Sequence, residues 1–598
     1  MHPISSTKYS LTRLAQQTIM ISLIVPSTIS NSIDTPRTTF DSFTLLLITS
    51  PRTEMQATHA EHLRKRKLNQ LAPISRLFPE IFSIIFCLVR DETIRPNNSM
   101  YIWHPTKYCI ALTHVCHEWR DIAIDNPSLW KKIYVSVDDH LEWVQEMLRR
   151  SKQCSLHVLV SKSHRSAISE SFDPILRGLK NDLHRIFDLN LLGVPIEDLN
   201  NFFSKSHSDR LTILHIKPYR ISPDTSSDDD MASDERSVAK SRFTLSDDAL
   251  RVDTLRYFRI EHLGLDFHAA FIRCLVHLEL LEVNRNCRLP CAEFIAVLVT
   301  MPALQYLILD GYLEEDEVED MELYVNTTKK IHLRLNYLDI TCRRLGEMIQ
   351  FLCILVVPPS CKLRLFMAHG GPETAPGFHL IISWLSSHFQ HVPSFHSFRS
   401  NIRTWHFKRT NSVSTDLQIS GFYDSEAEEE EIRSHTLTAS IVLCHDFESE
   451  DELIDDLWRS FFKTLPLSNL VSLEVKDDDI TLPESIWEEI FAPITTLKTI
   501  VIDSNYYATF FLFASPISIA IPFSALSTVT VKAYAIDDYI SIVNSLDSRL
   551  AAGIGPFDLI LYTNNIEPQA VAQLYISALT VQIYPPVPES SSSGLPDI

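Results

Sequence analysis

His114-Val115-Cys116-His117-Glu118 carries the donor types of a zinc site. On a helix His114 and His117 share a face, but Cys116 points elsewhere and no fourth ligand is evident. The aspartates at 477–479 lack the glycine and terminal glutamate of a calcium-binding EF-hand loop. There is no G-x-S-x-G, no P-loop and no dinucleotide fingerprint. With only 12 glycines in 598 residues, most glycine-dependent phosphate loops are not expected. The 11 cysteines contain no C-x-x-C pair, so neither a paired-cysteine zinc module nor a secreted disulfide framework fits. The expectation is a non-enzyme with no catalytic residues, no metal and no cofactor.

Composition narrows the partners. Hydrophobic residues at 45% and charged residues at 22% are ordinary globular usage. A net charge of −21 repels a phosphate backbone, so no nucleic-acid partner is expected. No uninterrupted apolar run reaches the length of a membrane helix, and the longest candidate, Phe510 to Phe523, is broken by Pro516 and Pro522. No membrane association is expected, and the location expected is cytoplasmic, nuclear or both. Residues 1–33 contain no acid and a short apolar run, Ile19 to Val25, as a targeting peptide could. Arginine is sparse and no small-residue cleavage site follows, so residues 1–67 are read as a disordered or poorly structured extension. The cluster Arg64-Lys65-Arg66-Lys67 fits a nuclear-import signal or a solvated helix face.

A helical module is expected over 68–135. Pro79 suits a first helical position and Glu80 the first turn. Ile81, Ile84, Ile85 and Leu88 form one apolar stripe, and Phe82, Phe86 and Val89 a second. A small module cannot easily bury both, which points to a partner protein. After an irregular connection, Asp91 to Tyr108, a second helix is expected from about Cys109 to Ile124. A third begins at Pro127 with Asn126 as its cap, and then Ile133, Val135 and Val137 alternate as a strand.

Leu77-Phe78-Pro79-Glu80-Ile81 with Ile85-Phe86, then Leu112-Thr113-His114-Val115-Cys116-His117-Glu118-Trp119-Arg120-Asp121-Ile122-Ala123, then Asn126-Pro127-Ser128-Leu129-Trp130, resembles an F-box, in particular the F-box-like proteins abundant in fungi. Phe78 stands where that family usually has a second proline. The resemblance implies a helical hook that docks on the adaptor subunit of an SCF-type cullin–RING ubiquitin ligase, and through it on the cullin. It implies adaptor contacts from Leu77, Pro79, Ile81, Ile84, Ile85 and Phe86, with Trp119 and Trp130 holding the hook together. The alternative is a helical cap on the next domain.

From about 150 to 565 a strand pattern L-x-x-L-x-L recurs, the mark of stacked units that cannot bury their faces singly. One set starts at Leu255, Leu278, Leu304 and Leu335, another at Leu470, Leu497, Leu526 and Phe557, with weaker copies at Ile186 and Leu211. Ala292 to Leu298 and Ile486 to Phe491 look like helical returns. The array resembles an irregular leucine-rich repeat. Acidic stretches at 222–234, 314–322, 424–431 and 448–456 are expected to be solvated loops. The tail 585–598 is expected to be disordered.

The fold class expected is therefore α/β: a small N-terminal three-helix F-box, 68–135, followed by an irregular leucine-rich-repeat-like α/β solenoid, 150–565. The function expected is the substrate-recognition subunit of a ubiquitin ligase; the alternative is a repeat scaffold attached to no ligase. In three neighbouring central repeats the outward residues read as Tyr257, Arg259 and Glu261, then Leu280, Glu282 and Asn284, then Tyr306, Ile308 and Asp310. Tyr257, Arg259 and Tyr306 are the candidate contacts to an unknown protein substrate.

Overall fold

The structure, a computed structural model, describes residues 51–92, 105–136, 141–161, 172–204, 208–218, 242–243, 254–265, 267, 269–313, 330–342, 344–367, 375–389, 397–407, 412–422, 436–446, 451–477, 486–503, 523–532, 535–536, 539–553, 557–563, 565–566, 569, 571–572, 574 and 580–584. The acidic stretches 222–234, 314–322 and 424–431, the insert residues 93–104 and the tail lie outside them. The chain is mixed α/β with parallel sheets and divides into two compact units, 1–211 with 591–598, and 212–590. The division falls at 211/212, not between 135 and 150, so the first strands belong with the helices.

In the first unit, α1 (Pro51–Leu71) replaces the poorly structured segment expected at 51–67. It keeps the basic cluster on a solvated helix, where Arg64 pairs with Glu61 at 2.8 Å. Helix α2 (Pro79–Glu92) starts at Pro79, as its fixed φ favours, and Phe78 supplies the first carbonyl to the amides of Ile81 and Phe82. The single helix expected over Cys109–Ile124 is two: α3 (Pro105–Thr113) and α4 (His117–Asp125). The break is chemically stabilised. The Thr113 hydroxyl donates back to the Ile110 carbonyl at 2.7 Å, Arg120 Nε donates to the freed Thr113 carbonyl at 2.8 Å, and extended Cys116 accepts from the Trp119 amide through its sulfur. Asn126 caps α5 (Pro127–Trp130) by accepting from the Ser128 amide at 3.2 Å. Strand β1 (Lys132–Ser136) follows, then α6 (Leu141–Arg150), β2 (Leu156–Ser161), α7 (Asp173–Lys180), β3 (Ile186–Val194) and α8 (Ile196–Phe203). The three strands pair in parallel, β1-β2-β3. The ladder to β1 and the Trp130–Trp143 ring contact at 6.5 Å tie the early helices to the first strands.

The second unit adds parallel strands in chain order: β4 (Ile213–Pro218), β5 (Tyr257–Glu261), β6 (His277–Leu281), β7 (Tyr306–Asp310), β8 (Tyr337–Cys342) and β9 (Lys362–Met367). Helices α9 (Cys291–Val299), between β6 and β7, and α10 (Leu345–Ile354), between β8 and β9, pack on one another, with Phe294 stacked on Phe351 at 6.1 Å. Three consecutive strands end alike. His262, Glu282 and Gly311 take φ values of 61°, 48° and 56°, and their amides donate to the carbonyls of Leu281, Asp310 and Thr341 on the next strand. The left-handed conformation costs a non-glycine residue about 1–2 kcal/mol, and here it buys one more rung of ladder per strand.

After α11 (Ala375–Phe389) the succession is interrupted. The long strands β10 (Ser397–Phe407), β11 (Ser412–Phe422) and β12 (Thr436–Asp446) form an antiparallel meander entered backwards, so β9 pairs with β12 and β10 with the later β13 (Ser472–Asp477). Nothing in the L-x-x-L-x-L reading foresaw it. Residues 451–456, expected in an acidic loop, open α12 (Asp451–Thr464), where acids suit a helix N-terminus. Parallel addition then resumes through β14 (Thr499–Asp503), β15 (Thr528–Lys532), β16 (Asp558–Tyr562) and β17 (Val581–Tyr584), with α13 (Tyr539–Ala551) between β15 and β16.

The core lies under the expected leucines, with two changes of frame. Leu255, Phe258 and Ile260, Leu304, Leu307 and Leu309, and Leu335, Leu338 and Ile340 are buried as read. In β6 the buried set is Leu275, Leu278 and Leu280; of the expected Leu278, Leu281 and Val283, Leu278 and Val283 are buried and Leu281 is half-buried. In β16 it is Leu559 and Leu561, not Ile560 and Tyr562. Both segments have apolar residues at adjacent positions, so two frames match the template and only strand pairing decides.

Candidate functional site

The first unit presents an apolar face on α2. Phe82, Phe86 and Val89 point inward, and Phe82 and Phe86 lie 5.4 and 5.2 Å from the Trp119 ring. Arg90 is buried too, and donates to the carbonyls of Ser128 and Leu129 at the end of α5. Trp130 Nε1 donates to the Ala123 carbonyl at 2.7 Å. The module's core is thus filled and its buried polar groups are engaged. The other stripe faces out: Ile81, Ile84 and Leu88 are exposed, as are Leu77 and, at 74%, Phe78 just before the helix. Of the adaptor contacts implied by resemblance, Leu77, Pro79, Ile81 and Ile84 are at the surface and Ile85 is half-buried. Phe86, with no exposed surface, belongs to the module's own core and is corrected to a structural residue. Phe78, Leu88 and, at the α3–α4 break, Val115 are exposed apolar residues that the resemblance did not mark as adaptor contacts. Helix α1 adds exposed Leu68 and Leu71, and sets Arg66 and Gln70 against Glu118 of α4. His114 and Cys116 flank the break; the Cys116 sulfur accepts from the Trp119 amide and His117 pairs with Asp121 at 2.8 Å.

The second unit presents the outward face of β4–β9. Its rows are fixed by register. Tyr257, His277, Tyr306 and Tyr337 stand side by side, and in the next row stand His215, Arg259, Glu279, Ile308, Asp339 and Arg364. A polar network fills the β4–β6 part. Glu261 accepts from His215 at 3.0 Å, and pairs with Lys217 at 2.6 Å and Arg259 at 2.7 Å. Glu279 accepts from the Tyr257 hydroxyl at 2.6 Å, contacts His277 at 2.7 Å and pairs with Arg259 at 3.2 Å. Burial works to raise the pKa of both carboxyls. For Glu261 the hydrogen bonds from His215, Lys217 and Arg259 prevail and hold it well below the usual carboxylate range; for Glu279 those from His277 and Tyr257, with the Arg259 charge, also leave it lowered. Asp339 is the opposite case: burial prevails and raises it despite Arg364 at 3.3 Å and the Tyr337 hydroxyl at 3.0 Å. The Tyr337 hydroxyl is itself pushed up to about 12 by burial and by Asp339.

This changes the expected substrate contacts. Arg259 is bound to two buried carboxylates and Tyr257 donates to one of them, so neither is a free interface residue. Tyr306 remains exposed, its ring stacked on His277 at 5.2 Å and 12°. Leu280, expected outside, is buried; Glu282 lies in the left-handed turn after β6; Asn284 caps the 3-10 turn Arg285–Cys287. His277 and Glu279 were missed because the frame of β6 was read three residues late. Among the described residues no helix is long and apolar enough to cross a membrane. No known family model and no curated protein matches the chain.

Proposed function

We propose that this chain is the substrate-recognition subunit of an SCF-type cullin–RING ubiquitin ligase. The outward stripe of α2 docks on the adaptor subunit and the sheet face of the second unit, read as an irregular leucine-rich-repeat-like solenoid, holds a protein substrate. The chain itself makes and breaks no bond; it raises the effective concentration of substrate beside the transferring enzyme. One observation carries the reading. Of fourteen large apolar side chains exposed among the described residues, nine lie between Leu63 and Val115, although the module there has a filled core of its own. Contiguous exposed apolar residues mark a protein contact. The sequence resemblance to an F-box covers the same segment. The test is capture of purified SCF adaptor by the purified full chain. Binding that Ile81→Asp with Ile84→Asp abolishes supports the proposal; a wild-type chain that does not bind adaptor overturns it.

A further inference from the structure

Helix α1 is held to the module by polar contacts, and its leucines stay at the surface. Arg66 and Gln70, one turn apart, reach Glu118 of α4 at 3.4 and 3.5 Å. The end of the helix is pinned as well: in the 3-10 turn Pro73–Arg76 that leads to α2, the Ser75 hydroxyl donates to the Asn69 carbonyl at 2.7 Å. Leu63, Leu68 and Leu71 are all exposed, Leu71 at 73%. Cations stand among them, Arg64 one turn before Leu68 and Lys67 one turn before Leu71. From residue 59 to residue 88 there are five lysines and arginines against two glutamates, in a chain of net charge −21. Arg64 and Lys65 pair with Glu61, and Arg66 with Glu118. Lys67 and Arg76 are exposed and form no ion pair among the described residues.

We infer that α1 is a second arm of the adaptor site: Leu68 and Leu71 extend the apolar contact made by the outward stripe of α2, and Lys67 and Arg76 meet carboxylates on the adaptor. This rests on the reading of the chain as a ligase subunit, and names the chemistry of the partner surface, an apolar strip bordered by acids. Charges at the rim of an interface act chiefly on the encounter, which opposite charge speeds and orients. An acidic partner is repelled by a chain of net charge −21 and attracted only where the local sign reverses, which over 59–88 it does. The partner is thereby steered to the end of the chain that carries the exposed apolar residues. A second copy of the chain fits this face poorly, because two-fold pairing sets cations against cations. An anionic bilayer also meets the repulsion of the whole chain, and it gains only three leucines from α1.

The experiment is biolayer interferometry with the immobilised full chain and purified SCF adaptor at low and high salt. The wild-type chain binds, and its association slows as salt rises. Lys67→Glu with Arg76→Glu lowers the association rate about tenfold at low salt and flattens its salt dependence, and Lys67→Arg with Arg76→Lys keeps both at the wild-type level. Leu68→Asn with Leu71→Asn speeds dissociation about tenfold and leaves the salt dependence in place. All four residues are at the surface, so the variants keep the wild-type thermal midpoint. Adaptor bound by the wild type, with rates unchanged in the charge-reversed and leucine variants, overturns this inference alone and leaves α2 as the whole site. A wild-type chain that binds no adaptor overturns the ligase reading and this inference with it. Flotation of the wild-type chain with vesicles of phosphatidylserine and phosphatidylcholine, or a dimer in sedimentation, either one lost in the same variants while their adaptor rates stay unchanged, reassigns the face and overturns the inference as well.

Discussion

Helix α2 and strand β5 each turn about half of their residues away from a core, and they equip that half differently. On α2 it is Ile81, Ile84 and Leu88, with Leu77 and Phe78 before the helix. On β5 it is Tyr257, Arg259 and Glu261, bound to one another and to β4 and β6. An exposed aliphatic or aromatic side chain forgoes about 1.5–3 kcal/mol that burial would supply, and five of them in one place are stabilised only by a partner. The β5 set has found its partners inside the chain. Exposure on α2 is therefore informative about binding, whereas polarity on β5 is informative about folding.

The sharpest way to break that comparison is to put the same charge on the two stripes of α2. Ile81→Asp with Ile84→Asp should leave the thermal midpoint of the chain within the error of calorimetry and abolish adaptor capture. Phe86→Asp should do the reverse of the first effect. A carboxylate there is buried against Phe82 and Trp119, and Arg90, one turn on, is already engaged with the Ser128 and Leu129 carbonyls, so the cost is several kcal/mol and the module unfolds. If Phe86→Asp melts like the wild type, the two stripes have been assigned the wrong way round.

The frame of β6 offers the next largest effect. Leu280→Ala should cost about 3 kcal/mol of stability in the second unit, as a core truncation does, and Leu281→Ala less than about 1. Denaturant titration of the two variants distinguishes the frames, since the frame Leu278, Leu281, Val283 predicts the opposite order.

The polar network divides more finely. Glu261→Gln removes the anion that holds Lys217 and Arg259. Both cations retain access to water, so the cost is about 2 kcal/mol and not the larger cost of stranding fully buried charges. Asp339→Asn should cost less than Glu261→Gln, because burial of its charge offsets what the pairing with Arg364 and Tyr337 contributes. The signs with acid are opposite too. Glu261, lowered in the folded chain, loses its contribution as pH falls below the usual 4.5; Asp339, raised above 3.8, contributes more as it becomes protonated.

How far all this was legible in the sequence follows the same divide. The cap at Asn126, Pro79 as a helix start and the leucines of β5, β7 and β8 were legible because local chemistry allows one arrangement. Which stripe of α2 faces inward was not, since both are apolar with helical spacing; Trp119, distant in sequence, decides it by packing on Phe82 and Phe86. The β10–β12 meander was not, because alternation does not tell parallel from antiparallel pairing. The network was hidden because Glu261, Glu279 and Arg259 meet only through strand register.

The smallest effect is a pH dependence that belongs to neither face. His388 on α11 is buried, stacked on Trp384 at 5.6 Å, and hydrogen-bonded with the Val357 backbone. Burial lowers its pKa from 6.5 to about 4. A histidine kept neutral by the fold contributes fully above 6.5 and loses its contribution as pH falls toward the folded value, because the unfolded chain takes up the proton first. At about pH 5.5 the loss is on the order of 1 kcal/mol. His388→Phe keeps a flat ring against Trp384 and has no proton to take up. Its thermal midpoint should therefore fall less than that of the wild type between neutral pH and about pH 5.5, the difference appearing in the second unit. Glu261 and Glu279, lowered in the folded chain, do not titrate in that window, so an identical acid slope in the two proteins would mean that His388 is not held neutral by burial.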